Sequence, residues 1–254
     1  MAANQSEKIN IRLHYWNCRG RVQTIRYMLA DIVEKYPNVE YSETFELIEA
    51  KGAWPAKKKD ANITGPFGNL PILHWNSKHI IAQTFPIGQF LAKKFSLYGK
   101  STDNDTDQEL HMAQIDGVVS CAYTDVILNM LQSIWSNADF EDKNNSEYRL
   151  GIKITDSIKT LDKLLQQSST SYFYNQQEPT IADYFVFESY TLVRDVAIKL
   201  YPSNECQALN KHEQAMKSQP GLNKYFRKNL LFETITASPT EDEWKQKQGN
   251  KNKQ

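Results

Sequence analysis

Residues 9–34 read INIRLHYWNCRGRVQTIRYMLADIVE, and two hydrophobic periods meet inside that stretch. From Ile9 to His14 apolar and polar side chains alternate, which is the period of a half-buried strand. From Arg21 onward Val22, Ile25, Met28, Leu29, Ile32 and Val33 recur at i, i+3 and i+4, which predicts an amphipathic helix. Further along, Tyr41–Leu47 reads as a weaker strand. LPILHW (70–75) and HIIAQ (79–83) flank Asn76-Ser77-Lys78 as the arms of a hairpin. Thr84 then caps a helix whose Ile87, Phe90, Leu91 and Phe95 share one face. The order is β-α-β-x-β-β-α, a small mixed sheet with helices packed on it.

A run of turn formers, YGKSTDNDTD at 98–107, marks a linker. Its DNDTD resembles a calcium loop, but Gln108 and Gln114 stand where glycine and a bidentate glutamate are required. Beyond it the period is helical. Leu110, Ile115, Val118, Val119, Ala122, Val126, Met130 and Ile134 mark one long helix, and Leu150, Ile154, Ile158, Leu161, Leu164 and Leu165 a second. Thr180-Ile181-Ala182-Asp183 is a capping box opening an apolar helix, and shorter helices are expected near 205–217 and 221–229. The expected organisation is an N-terminal extension (1–8), a mixed α/β domain (9–97), the linker (98–107), an all-helical domain (108–237) and a mobile polar tail (238–254).

The 254 residues carry 30 Lys plus Arg and 30 Asp plus Glu, a net charge of zero that argues against a nucleic-acid partner. No apolar run approaches the length of a membrane span. The opening MAANQSEKIN holds no apolar stretch of a secretory signal. Three cysteines, Cys18, Cys121 and Cys206, form no CxxC pair and no even-numbered framework. A soluble, cytoplasmic protein in a reducing compartment is expected. Histidines at 14, 74, 79, 111 and 212 lack ligand spacing, so no metal is expected.

Three stretches carry a resemblance: LHYWNCRGRVQTIRYMLA (13–30), AWPAKKKDANITGPFGNLPIL (53–73) and IIAQTFPIGQFLAKKF (80–95). In that order they resemble the cytosolic glutathione transferases, nearest the sigma class with its haematopoietic-type prostaglandin D synthases, with alpha and mu beside it. The likeness spans about residues 9 to 230. It implies a thioredoxin-like N-terminal domain followed by an all-helical C-terminal domain, with glutathione as substrate or cofactor, and a homodimer. By the resemblance Tyr15 is the catalytic phenol, whose O–H stabilises a thiolate and so lowers the thiol pKa. Arg21 adds positive charge beside the sulfur, while Arg19 is structural. Trp54 and Lys58 hold the glycyl carboxylate. A cis bond before Pro71 presents the backbone of Leu70 to the cysteinyl part, with Asn69 adding side-chain hydrogen bonds. Gln83 and Thr84 hold the γ-glutamyl carboxylate at a helix N-terminus. Tyr123 and Ile127 are walls for a small hydrophobic electrophile.

Two positions depart from the pattern. Ser120 stands where many members place an acid for the glutamyl amine across the dimer, with Asp116 and Asp125 nearby. Cys18 lies close to Tyr15 without the Cys-Pro context of thiol-transfer relatives. The implied activity is conjugation of glutathione to small hydrophobic electrophiles. The alternatives are glutathione-dependent isomerisation of a prostaglandin H endoperoxide and a non-catalytic subunit of a larger assembly.

Overall fold

The alternation from Ile9 buries Ile11, Leu13 and Tyr15 on one side of a strand, β1 (Ile9–Trp16). This computed structural model describes residues 7–102, 107–140, 143–144, 148–202 and 204–248. β1 pairs in parallel with β2 (Val39–Glu46) and antiparallel with β3 (Ile72–Trp75), which pairs antiparallel with β4 (His79–Ala82). The sheet order is β2-β1-β3-β4. Asn76 and Ser77 turn the β3–β4 hairpin with positive φ. Tyr15 lies within β1, opposite Phe45, rather than beyond the strand.

Helix α1 (Gln23–Lys35) buries its apolar stripe, with Ile25, Met28 and Leu29 all fully enclosed. Between β2 and β3 the chain forms short helical turns, among them α2 (Trp54–Lys57) and α3 (Ala61–Thr64), flanked by 3-10 turns at Ile48–Ala53 and Gly65–Phe67. The helix after β4, α4 (Thr84–Lys94), starts at Thr84 with Gln83 as its N-cap. Residues 219–234 belong to this same unit. Their helix α10 (Pro220–Arg227) lies so close on α1 that a Cβ at Gly221 would sit 2.3 Å from the Ala30 carbonyl oxygen. That assignment corrects the expected helical domain of 108–237, which included α10. Glycine at 221 is a covert long-range packing choice, with no local sequence signal.

The second unit comprises 96–218 and 235–254. Its helices are α5 (Gln108–Ser120), α6 (Leu128–Ser136), α7 (Tyr148–Leu165), α8 (Ile181–Val196), α9 (Gln207–Ser218) and α11 (Glu241–Lys247). A π-helical segment, Cys121–Ile127, joins α5 to α6. The capping box opens α8 as expected. The expected linker begins inside this unit: Tyr98 is buried and its hydroxyl donates to Asp116 at 2.8 Å, and Asp107 caps α5. Residues 103–106 of the linker, with most of the calcium-like run, lie outside the described residues, as do 1–6 of the extension and 249–254 of the tail.

The tail from 238 is folded where it is described. Trp244 is fully buried and its indole N–H donates to the Ala138 carbonyl at 3.1 Å, while Glu241 accepts the N–H groups of Ile235 and Thr236. One tryptophan among polar neighbours is too sparse a pattern to register as helical periodicity, yet burying its ring anchors the segment.

At the start of α8, the fully buried Asp183 carboxylate accepts Thr180 N–H (2.7 Å), Thr180 Oγ1–H (2.8 Å) and Phe173 N–H (3.2 Å), with His212 Nε2 at 3.1 Å. Asp183→Ala leaves those buried donors unpaired, at about 1–3 kcal/mol each. A loss of roughly 3–5 kcal/mol in urea unfolding is expected. An unchanged midpoint would show that the network adds nothing to stability.

Candidate active site

Four separate sequence stretches converge at the carboxy-terminal end of β1. Antiparallel pairing sets His14 opposite Ile72, so the Leu70–Pro71 turn that feeds β3 lies beside the Tyr15–Trp16 end of β1. The Gln83 N–H donates to the Pro71 carbonyl at 3.3 Å, joining the start of α4 to that turn. Trp54 packs tilted against Trp16, with ring centroids 5.0 Å apart. The Lys58 stem runs along Gly68, next to Asn69. Tyr15, Arg21, Trp54, Lys58, Asn69, Leu70, Gln83 and Thr84 are thus all in the thioredoxin-like unit.

The phenol of Tyr15 is nearly buried and its oxygen accepts the Arg21 backbone N–H at 3.0 Å. Accepting that bond fixes the oxygen and strengthens the hydroxyl as a donor. The turn that brings Arg21 back over Tyr15 requires Gly20. Gly20 has φ +47°, and a Cβ there would lie 2.6 Å from the Tyr15 hydroxyl oxygen. The Arg21 guanidinium itself is exposed, whereas Arg19 is buried.

A residue that the sequence reading passed over, Arg26, holds this turn from below. Its guanidinium is 2% exposed and donates to the carbonyls of Cys18 (2.7 Å), Arg19 (3.3 Å) and Trp16 (3.3 Å). Glu43 on β2 meets the same group at 2.7 and 2.9 Å. Burial disfavours the Arg26 charge, but the adjoining Glu43 carboxylate outweighs it and holds the guanidinium charged. The signal was available: an arginine among residues 23–29, all of which are buried.

At the other end of the site, Lys57 is engaged by Glu46 at 2.7 Å, while Lys58 and Lys59 are both exposed beyond Trp54. The Leu70–Pro71 bond is cis, and Leu70 N–H and C=O bond to nothing among the described residues. Gln83 has φ +74°, a region that costs non-glycine residues about 1–3 kcal/mol. Thr84 does not cap its helix. Its hydroxyl is buried with no hydrogen-bond partner among the described residues, at the N-terminal end of α4. A buried orphan of this kind costs about 1–3 kcal/mol, which an acceptor seated there would recover.

Tyr123 and Ile127 belong to the helical unit. Ile127 is 1% exposed, while Tyr123 is half-buried with its ring edge-on to Phe185, so Tyr123 has the surface to offer a ligand. Ser120 is exposed. The neighbouring acids are engaged, Asp116 by Tyr98 and Asp125 by Lys153. Cys18 is buried, and none of the three cysteines forms a disulfide. Among the described residues no three His, Cys, Asp or Glu side chains are grouped to hold a metal ion. No helix among them is long and apolar enough to cross a membrane.

Residues 124–229 match the family profile described as "Glutathione S-transferase, C-terminal domain". A glutathione S-transferase of Plasmodium falciparum is 26% identical over 88% of this chain and 99% of its own length. Hematopoietic prostaglandin D synthase of Rattus norvegicus is 34% identical over 43% of this chain and 45% of its own. The chain spans less than half the length of the mammalian relatives it matches. Among solved structures, that of NaGST-2 superposes with a TM-score of 0.65 at 22% identity, covering 90% of this chain and 99% of that one, which speaks for the fold. The likenesses, over part of the chain to the C-terminal-domain profile and at low identity to a whole relative, are to glutathione S-transferases.

Gly20→Ala places a methyl group against the Tyr15 hydroxyl in a backbone conformation that alanine disfavours. A destabilisation of about 2–4 kcal/mol is expected. Gly52→Ala, with open space around its Cβ, should stay within about 1 kcal/mol of the parent. Equal urea midpoints for the two variants would remove the requirement for glycine at 20.

Proposed function

We propose that this protein is a glutathione transferase that joins the sulfur of glutathione to small hydrophobic electrophiles, with Tyr15 as the group that stabilises the thiolate. The observation that carries the reading is the pairing of two features at one end of the sheet. One is a phenol held by a backbone N–H; the other is a buried threonine hydroxyl, without a partner among the described residues, at a helix N-terminus. The first suits an anionic sulfur and the second a carboxylate. Between them the cis turn leaves Leu70 N–H and C=O open to an extended peptide, with Asn69 beside it.

Glutathione supplies the nucleophilic sulfur. In this reading the Tyr15 hydroxyl donates to that sulfur, favouring the charged form, and Arg21 adds positive charge. Lys58 and the Trp54 indole N–H hold the glycyl carboxylate, and Gln83 and Thr84 the γ-glutamyl carboxylate. Fixing both charged ends orients the sulfur for in-line attack. Tyr123 and Ile127, in the helical unit, are the residues assigned to the electrophile in this reading. The finer placement in the sigma class rests on the likeness to the rat prostaglandin D synthase, and on it alone rests the alternative of isomerising an endoperoxide. The ordered Tyr15 turn favours an enzyme over a non-catalytic subunit. A cytoplasmic setting agrees with three cysteines that form no disulfide.

A homodimer is part of the proposal. Phe67 stands 61% exposed on the turn between Gly65 and Gly68, and Ile80, also exposed, lies against Gly65 on the edge strand β4, apolar side chains suited to an isologous contact. Sedimentation should give twice the 29.4 kDa of one chain, and Phe67→Ser should move the species toward monomer. A monomer at micromolar concentration in the parent would refute the dimer.

Two substitutions separate the roles within the site. Tyr15→Phe should raise the pKa of bound thiol by about two units and lower turnover on an aryl halide about tenfold to a hundredfold near neutral pH, with partial recovery as pH rises. Thr84→Val should instead raise the KM for glutathione on the order of tenfold and leave kcat at saturation nearly unchanged. Should Tyr15→Phe show the parent's thiol titration, Tyr15 is not the activator. A Thr84→Val loss confined to kcat would contradict its place at the γ-glutamyl carboxylate.

A further inference from the structure

From Leu47 to Ile63 no residue is buried, yet that stretch carries Trp54 and Lys58. A helix of four residues, α2, does not hold itself together, because nucleating a turn costs more than its few hydrogen bonds return. Its position is therefore set by what it touches. Where the stretch leaves β2, the Ile48 N–H donates to the Asn17 side chain at 2.8 Å. Beyond α2, the hydroxyl of the buried Thr64 donates to the Lys58 carbonyl at 3.2 Å. Between these two ends, α2 meets the sheet through Trp54 and Lys57.

Residues three apart on a helical turn share a face, so Trp54 and Lys57 point the same way. That face lies against Trp16 and Glu46, which are register partners across β1 and β2. Trp54 packs on Trp16, and the Lys57 ammonium donates to Glu46 Oε2 at 2.7 Å. Lys58 falls about 100° further round the turn and stays exposed. Glu46 is 9% exposed, so its attraction to Lys57 is less screened than that of a pair on the open surface. His14 Nε2 meets the other carboxylate oxygen at 3.3 Å. Burial pushes the His14 imidazole below its ordinary pKa, so it is neutral at pH 7 and Lys57 supplies the positive charge facing Glu46.

We infer, resting on the transferase reading, that Lys57 and Glu46 form a latch that positions the glycyl end of the glutathione site without touching glutathione. Lys57 is the positioning residue. Its ion pair fixes the rotation of α2 about the Trp16–Trp54 contact, and that rotation aims both the Trp54 indole N–H and the Lys58 ammonium. A ring contact by itself leaves that rotation free. With the pair broken, glutathione would have to order α2 on binding, and its affinity would fall by the cost of that ordering. The glycyl carboxylate is bound alike in ground and transition states, so the loss falls on KM and not on kcat.

The test uses the whole chain and two readouts, the KM for glutathione with an aryl halide and the rate of tryptic cleavage after Lys51. Glu46→Gln and Lys57→Met should each raise that KM about fivefold, leave kcat within about twofold, and speed the cleavage by a similar factor to the KM. The double variant should be no worse than either single one. With glutathione amidated at the glycyl carboxyl, Lys57→Met and the parent should share one KM, because no charge remains for Lys58 to meet. A lower KM in Glu46→Gln would make a released Lys57 the carboxylate's own cation and overturn the latch. Multiplying effects in the double variant, or cleavage unchanged in both single ones, would overturn it equally. Lys57→Met, at a half-exposed side chain, decides the matter should Glu46→Gln fail to fold. A parent that turns over glutathione with a KM unmoved by Lys57→Met would refute the latch alone. A parent without glutathione turnover would refute the transferase reading and the latch with it.

Discussion

The buried ion pair between Arg26 and Glu43 is the interaction on which the site depends. One guanidinium satisfies three carbonyls of the chain leaving β1 and both oxygens of a carboxylate on β2. Removing a buried charge from its water is expensive, and the cost is offset only when nearly every donor finds an acceptor. Here that condition is met, and the geometry is consequently narrow. The turn from Trp16 to Arg19 can occupy one position, Gly20 can close it in one way, and the Arg21 N–H arrives at the Tyr15 oxygen. Strand pairing alone would place Tyr15 but would not orient its hydroxyl.

Much of this was legible from residue order. Alternation from Ile9 and the 3.6-residue period from Val22 gave a strand and a helix, and the turn at Asn76-Ser77 gave the hairpin. The capping box at Thr180 was readable because its two hydrogen bonds join residues three apart. The same locality explains the failures. Gly221 and Trp244 act through partners roughly a hundred or more residues away, Ala30 and Ala138, so neither leaves a periodic trace. Arg26 looked like one more polar residue on a helix whose every residue from 23 to 29 proves buried. At the candidate site, residue types were readable and conformations were not. Thr84 was expected to cap its helix, yet Gln83 occupies that place with a positive φ, and the threonine hydroxyl is left over for something else.

That leftover hydroxyl and the strained Gln83 belong together. Backbone strain persists where the surroundings over-determine it. Here the Gln83 N–H is held by Pro71 and its carbonyl by the Ile87 N–H. Relaxing Gln83 would break one or both, and would carry the first turn of α4 away from Leu70. The unit thus maintains an unfavourable torsion and an unfavourable buried hydroxyl within two consecutive residues. Both costs fall where the fold brings separate loops together.

The π-helical segment from Cys121 to Ile127 has a consequence for how this chain lines up with others. Val118, Ala122, Val126, Met130 and Ile134 are all buried, at a constant spacing of four. In an uninterrupted α-helix that spacing would drift about 160° around the axis over four steps, carrying Ile134 out to solvent. A π turn absorbs one residue without advancing the helix, which cancels about 100° of the drift. The Leu128 N–H reaching back five residues to Tyr123, and the Asn129 amide taking up the Asp125 carbonyl, are the marks of that accommodation. The extra residue behaves as an insertion stored inside a helix. A chain one residue shorter here could run as plain α-helix and keep α5 and α6 in the same places. Gap placement within 121–127 is therefore physically degenerate, and residue equivalences drawn across Ser120 and Tyr123 shift by one depending on where the gap is set.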